Sequence, residues 1–338
     1  MSVVEQVRAR ARVRWVWVAS SAVAAVLVAA VLSLTIGDYP LSLDRVWATL
    51  WGSGSRIESY IVFQVRAPRL AMALLAGAAL GMAGAVLQGL LRNPLASPDL
   101  LGISGGSGVA AVFALLVLGA TGPVLTLWAF AGGIVVAALL LFAGRSASSG
   151  GYRLILAGIG VSFLAAATTN YLMVTTQIEK AQTALLWLVG SLSSTPWWQV
   201  VTLIVVFAVS IPLLVAAARW LPLHQMGTPA ATALGVPPRL VQPLTVAVAV
   251  LLTSSTAAFI GPVSFGALCA PAIARPLLRH GAVGIGTSAL VGATILAVAD
   301  LVAQFAIPGL QLPVGVVTGA LGAVFLLWLL ASSKGRHL

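Results

Sequence analysis

Few residues in this 338-residue chain could do chemistry. There are 18 Lys and Arg, 7 Asp and Glu, 3 His and 1 Cys. Cys269 stands alone, so it forms neither an internal disulfide nor a cysteine-based metal cluster, and its apolar neighbours mark it as a core residue. His224, His280 and His337 are scattered and do not show metal-ligand spacing. Lys180 and Lys334 follow no glycine-rich phosphate loop, and H-E-x-x-H is missing. No nucleophile, base and orienting group come together, so covalent catalysis by this chain is not expected. One acid stands out. Asp300 interrupts an apolar stretch, where a carboxylate costs several kcal/mol unless it is paired, protonated or wet. It is either an ion-coupling group or a residue hydrogen-bonded within the protein near a helix end. No equally deep basic partner is visible in the sequence, and one acid is a thin basis for a proton relay.

The elements that carry these residues are set by composition. Hydrophobic residues make up 60% and charged residues 7%, against about 25% charged in soluble domains. Mean hydropathy is +1.07. A water-soluble globule is excluded, and so is disorder, which requires few apolar residues. Ten apolar stretches approach the ~20 residues of a membrane helix: 15–36, 70–91, 100–118, 124–143, 154–175, 200–218, 240–260, 262–278, 283–307 and 312–331. The first follows Arg8, Arg10, Arg12 and Arg14, as in a signal peptide, but its apolar run exceeds the usual ~7–15 residues. It is read as a retained helix. The eighth contains Pro271 and is expected to be broken or tilted. Period-2 alternation is lacking, so the expected fold is an all-α polytopic bundle in one domain spanning 1–338.

Ten spans place both termini on one side. With that side cytoplasmic, 13 of the 18 basic residues fall inside. Arg45, Arg56, Arg66, Arg69 and Lys180 fall outside, a positive-inside bias. The net charge of +11 is thereby read as membrane orientation rather than as a nucleic-acid footprint. Glycine pairs four apart (Gly77/Gly81, Gly102/Gly106 and Gly315/Gly319) are expected either to let helices approach closely or to keep a solute path open. Short loops leave no sizeable soluble domain. Uphill transport would then draw energy from another chain, or from an ion gradient through Asp300.

The segment from Arg66 to Gly108 closely resembles the FecCD family of permeases. The matching residues are Arg66, Pro68, Arg69, Gly77, Leu80, Gly84, Gln88, Asn93, Pro94, Leu95, Ala96, Pro98, Leu101 and Gly102. Further similarity lies in Gly227 to Val236, Gly261-Pro262-Val263-x-Phe265-x-x-Leu268, Asp300, Leu312 to Gly315, and Gly322. The resemblance covers about residues 60–332. It implies the ten-helix architecture of a type II ABC importer permease in a bacterial cytoplasmic membrane, with iron–siderophore, haem or cobalamin as substrate and iron–siderophore first among them. It also implies a second permease chain, as a homodimer or heterodimer, around one path. Two cytoplasmic ATPase subunits and an extracytoplasmic binding protein complete the expected assembly. The chain itself is expected to bind no cofactor, with ATP and Mg held by the ATPase, and no nucleic acid.

The same resemblance assigns roles. Arg66 and Arg69 occupy the position that docks acidic side chains of the binding protein, although lipid-headgroup anchoring by the same arginines is the alternative. Gly227, Ala231, Leu234 and Gly235 lie in the segment that couples to the ATPase. Asn93 and Pro94 close the second helix at the cytoplasmic side, where Asn93 is also a candidate for the path or gate. Gln88 either lines the path or bonds across helices. The polar run from Ser146 to Tyr152 matches part of a cytoplasmic gate, with Gly150 and Gly151 as hinges and Tyr152 as a gating side chain. Two positions depart from the family pattern. Ala272 stands where His is common, and Gln304 where a further docking arginine is common.

Overall fold

A computed structural model describes residues 3–143, 150–278 and 283–333. Each of the ten apolar stretches lies on a helix. These are α1 (Val3–Thr35), α4 (Ala67–Leu91), α5 (Ile103–Leu116), α6 (Gly122–Ala143), α7 (Gly150–Val174), α9 (Trp197–His224), α11 (Pro238–Ile260), α12 (Gly266–Leu278), α13 (Ile285–Phe305) and α14 (Val314–Ser333). Four short helices lie between them: α2 (Leu43–Leu50), α3 (Arg56–Tyr60), α8 (Ile178–Val189) and α10 (Thr228–Ala233). Seven helical runs among the described residues are long and apolar enough to cross a membrane, whereas α5, α12 and part of α14 are shorter apolar helices.

The second apolar stretch begins far earlier than Leu70. α3, a π-helical turn (Ile61–Arg66) and α4 form one run, Arg56–Leu91, of 36 residues. At ~1.5 Å per residue this is about 54 Å, against a hydrocarbon core of ~30 Å. The polar stretch around Arg66, Pro68 and Arg69 looks like a helix boundary but is not one. Pro68 sits in the first turn of α4, directly after the widened π turn. There its missing amide breaks no regular α-helical ladder.

α4 and α11 are largely enclosed, while α1 and α7 lie on the periphery with little of their surface covered. α4 packs on α13, α12, α11 and α9. Glycines make this possible. A Cβ at Gly77, Gly81 or Gly84 would overlap the carbonyl oxygens of Gly292, Ser288 and Ala267 respectively. The backbones of α4, α13 and α12 therefore touch directly, and dispersion contacts replace the hydrophobic drive that lipid does not supply. Gly106 meets Gly132 and Val136 in the same way. Gly315 lies against the Val189 carbonyl, whereas Gly319 has nothing near it among the described residues.

One end of the bundle carries α2, α3 and α8, and the other carries α10. At the α10 end, Arg92 ends α4 with φ 51°, and the Asn93 side chain accepts the Leu95 amide at 2.9 Å. The chain then turns back into the bundle. Leu101 packs on Gly158, in the third turn of α7, before α5 begins. Irregular backbone at that depth is tolerated because protein surrounds it.

Candidate functional site

At the α2 end, Arg66 and Arg69 leave the same side of the run Arg56–Leu91 but meet different partners. Arg69 Nε donates to both carboxylate oxygens of Asp300 at 3.1 Å, and its Nη2 donates to Oδ1 at 2.9 Å. The side chains are 11% and 3% exposed. Gln304, one turn further along α13, donates to Oδ2 at 2.8 Å. Asp300 thus has the buried basic partner that the sequence did not reveal. The reason is distance in sequence: the pair is separated by 231 positions, and Arg69 was placed outside by the charge split. An unpaired intramembrane carboxylate of the kind a gradient-driven carrier would use is not what the structure presents.

Arg66 is also inside. Its Nη1 donates to the Leu34 carbonyl and its Nη2 to the Tyr39 carbonyl, both at 2.6 Å. These oxygens end α1 and begin the connection to α2, so Arg66 binds the first helix to the second. Gly37 leaves room for the guanidinium, since a Cβ there would overlap Nη2. The expectation of an exposed arginine pair is therefore corrected for both residues: each is engaged within the chain. They line a cleft of about 330 Å³ with Asp38, Tyr39, Gln304 and Gln311. Two cations, Arg66 and Arg69, and one carboxylate, Asp38, line this cleft, with Asp300 behind Arg69. Gln304, where the family pattern has a basic residue, supplies a neutral donor to Asp300 instead.

At the α10 end, Gly227 and Gly235 bracket α10 with φ values of 102° and 81°, which favour glycine. Ala231, Val236 and Val241 form a small core on Trp220 and Leu223 of α9. Met226 and Leu234 face outward, 64% and 55% exposed. The segment is thus anchored through Ala231 and displays Leu234. α9 also packs on α4.

Gln88 is buried and its Nε2 donates to the Leu268 carbonyl of α12 at 3.3 Å. Of its two readings, the structure contains the bond across helices. Gly150, Gly151 and Tyr152 form the first turn of α7, and Ser146 to Ser149 lie outside the described residues. Two polar residues escaped the sequence reading. Asp99 accepts a hydrogen bond of 2.5 Å from Ser104 at the start of α5, an arrangement signalled only by an acid just before a helix N-terminus. Arg275 of α12 donates to the Ala85 carbonyl at 3.0 Å and to Val283 at 3.3 Å. It carried no signal beyond its position beside Pro276.

Enclosed helices with backbone-to-backbone contact, and polar clusters at both ends rather than a catalytic constellation, define a polytopic helical transport bundle. The comparisons give the family. The model of the FecCD transport family matches residues 25–332. The ferric enterobactin transport system permease protein FepG of Escherichia coli is 39% identical over 317 residues, covering 93% of this chain and 95% of the relative. The Fe(3+) dicitrate permease protein FecD of the same organism is 39% identical, covering 90% and 95%. The vitamin B12 import permease BtuC of Citrobacter koseri is 34% identical, covering 96% of each chain. A solved inward-facing structure of a putative metal-chelate type ABC transporter superposes with a TM-score of 0.84 at 28% identity, covering 93% of this chain and 98% of that one. The chain belongs to the FecCD transport family and is an ABC importer permease, a membrane transport subunit.

Proposed function

We propose that the chain carries an iron–siderophore chelate across a bacterial cytoplasmic membrane as one of two permease chains around a shared path. The match of the family model to residues 25–332 carries the importer reading, and the ferric enterobactin and ferric citrate relatives support an iron chelate as cargo. Ten spans with both termini cytoplasmic agree with the ten apolar helices and the positive-inside pattern. On this reading the α2 end faces outward and the α10 end faces the cytoplasm. A cytoplasmic ATPase then seats on α10, against Met226 and Leu234, and pushes through Ala231 onto α9. From there the packing of α9 on α4 passes displacement to α4, which meshes with α12 and α13 through its glycines. Neither the energy source nor ATP and Mg belongs to this chain.

The binding protein docks over the cleft beside Arg66 and Arg69. Docking there is an exchange, because an incoming acidic side chain must compete with Asp300 for Arg69. Such competition suits a partner that leaves in each cycle, since the guanidinium is never left unpaired. The test is reconstitution of the chain with its ATPase and binding protein in vesicles. ATP-dependent uptake of ferric siderophore supports the proposal. Uptake of cobalamin or haem in its place would change the substrate, and uptake driven by an ion gradient without ATPase would overturn the importer mechanism.

A further inference from the structure

The short helix α2 has a surface that the transport reading does not use. At ~100° per residue, Leu43, Trp47, Leu50 and Trp51 fall within about 100° of one another. They are 60%, 63%, 45% and 73% exposed, and the two tryptophan rings pack with centroids 6.0 Å apart. Val46 and Thr49, which are buried, lie to one side of this stripe, with Asp44 bordering Trp51 on the other side and Arg45 beyond. The helix therefore has three sectors: one against the protein, one apolar and open, and one polar.

The ledge is firmly built. Val46 joins Leu41 and Val62 in a small core with Leu34 and Ile61 packed against it. Ser55 and Glu58 form a reciprocal cap at the start of α3, and Arg45 lies 3.8 Å from Glu58. An exposed tryptophan pair on a fixed support is costly in water.

Position selects its partner. α2 contacts α1 and α3, and α1 is the most exposed long helix, with Val28, Val31 and Leu32 open towards its α2 end. The apolar stripe of α2 is thus continuous with a lipid-facing side. No α2 residue lines the cleft beside Arg66 and Arg69, so a protein seated on that cleft has no need of the stripe. Trp197, on the same end, is 40% exposed and donates to the Phe63 carbonyl at 2.6 Å, which places it level with the π turn that α2 packs against. Tryptophan at that level suits the membrane–water boundary, where the ring is half apolar and half wet.

We propose that α2 is an in-plane interfacial helix whose Leu43, Trp47, Leu50 and Trp51 stripe is buried in the bilayer boundary at the α2 end, so that the bilayer surface fixes the height of the Arg66 contact with α1. The single native cysteine makes the test direct. In the full chain carrying Cys269→Ser, Leu50→Cys and, separately, Asp44→Cys are labelled with an environment-sensitive fluorophore. Each is reconstituted in phosphatidylcholine–phosphatidylglycerol vesicles. The label at 50 should emit as in an apolar medium and be quenched by lipid-borne nitroxide but not by iodide. The label at 44 should behave in the opposite way, and adding the binding protein should change neither. Iodide quenching at 50, or shielding of 50 only when the binding protein is added, overturns the proposal, the second result by making the stripe a protein dock. The double variant Trp47→Ser/Trp51→Ser gives an independent readout. Its thermal midpoint should match the parent in detergent and fall below it in vesicles. An equal fall in both media would make α2 a packing element only and contradict the proposal.

Discussion

Arg69 and Asp300 form a two-point ion pair that joins the first turn of α4 to α13, with Nη2 2.9 Å from Oδ1 and with Gln304 holding the second oxygen at 2.8 Å. The pair is buried, so its two charges depend on each other. Removing one partner leaves an uncompensated charge away from water, which costs about 3–5 kcal/mol, whereas replacing both with apolar groups is often neutral. Arg69→Met and Asp300→Leu should each lower the unfolding midpoint in detergent sharply. The double variant should recover most of the loss. Thermal unfolding of the three proteins checks this, and additive losses would show that the two side chains do not act as a pair.

The same pair sets a sign for docking. Asp300→Asn keeps an oxygen that can accept from Arg69 but removes the competing negative charge. Binding-protein affinity at low salt should therefore rise, while ATP-driven uptake persists. A weaker complex would mean that Asp300 holds Arg69 in its docking position rather than competing for it. Surface association measured against immobilised permease distinguishes the two.

Arg66 predicts a different failure. Its two short bonds to the carbonyls of Leu34 and Tyr39 are charge-assisted, each worth about 1.5–3 kcal/mol. Arg66→Ala should loosen the α1–α2 connection, giving faster amide exchange there. Gly37→Ala, which displaces the guanidinium without touching its charge, should produce the same exchange pattern. If only Arg66→Ala does so, charge rather than position explains the effect.

The glycines divide into two groups that sequence spacing alone treats alike. Gly84→Ala places a methyl group on the Ala267 carbonyl and should destabilise the isolated chain, because backbone cannot move aside as a side chain can. Gly319→Ala meets nothing within 4 Å and should leave the folding midpoint unchanged. At the α10 end, Leu234→Glu should preserve the midpoint and reduce substrate-stimulated ATP hydrolysis in the assembled transporter. Ala231→Leu should disturb the small core beneath and lower both. Parallel melting and hydrolysis measurements separate packing from contact.

Much of this was legible in the chain. Each apolar run lies on a helix, and seven helical runs among the described residues reach membrane length, because hydropathy and helix geometry act over ~20 residues. The run of small residues around Gly77, Gly81 and Gly84 announced close packing, though not which helices would meet. What stayed hidden depends on long-range contact. Arg66 and Arg69 read as exposed because charge near a span end ordinarily reaches water. Only the fold shows that α1 and α13 supply their partners. The α4 boundary was misread for a related reason, since polar residues and Pro68 imitate a helix start and a π turn leaves no pattern in sequence. α2 was invisible to a search for spans because eight residues cannot cross a bilayer.

On the proposed function this permease is driven from outside itself, with Asp300 paired structurally rather than coupled to an ion. Uptake of ferric siderophore into vesicles containing the chain, its ATPase and its binding protein tests it most directly, comparing the parent with Asp300→Asn. Uptake should require ATP and binding protein, survive collapse of ion gradients, and persist in Asp300→Asn. Uptake that needs no ATPase, follows an imposed ion gradient, and vanishes in Asp300→Asn would contradict it.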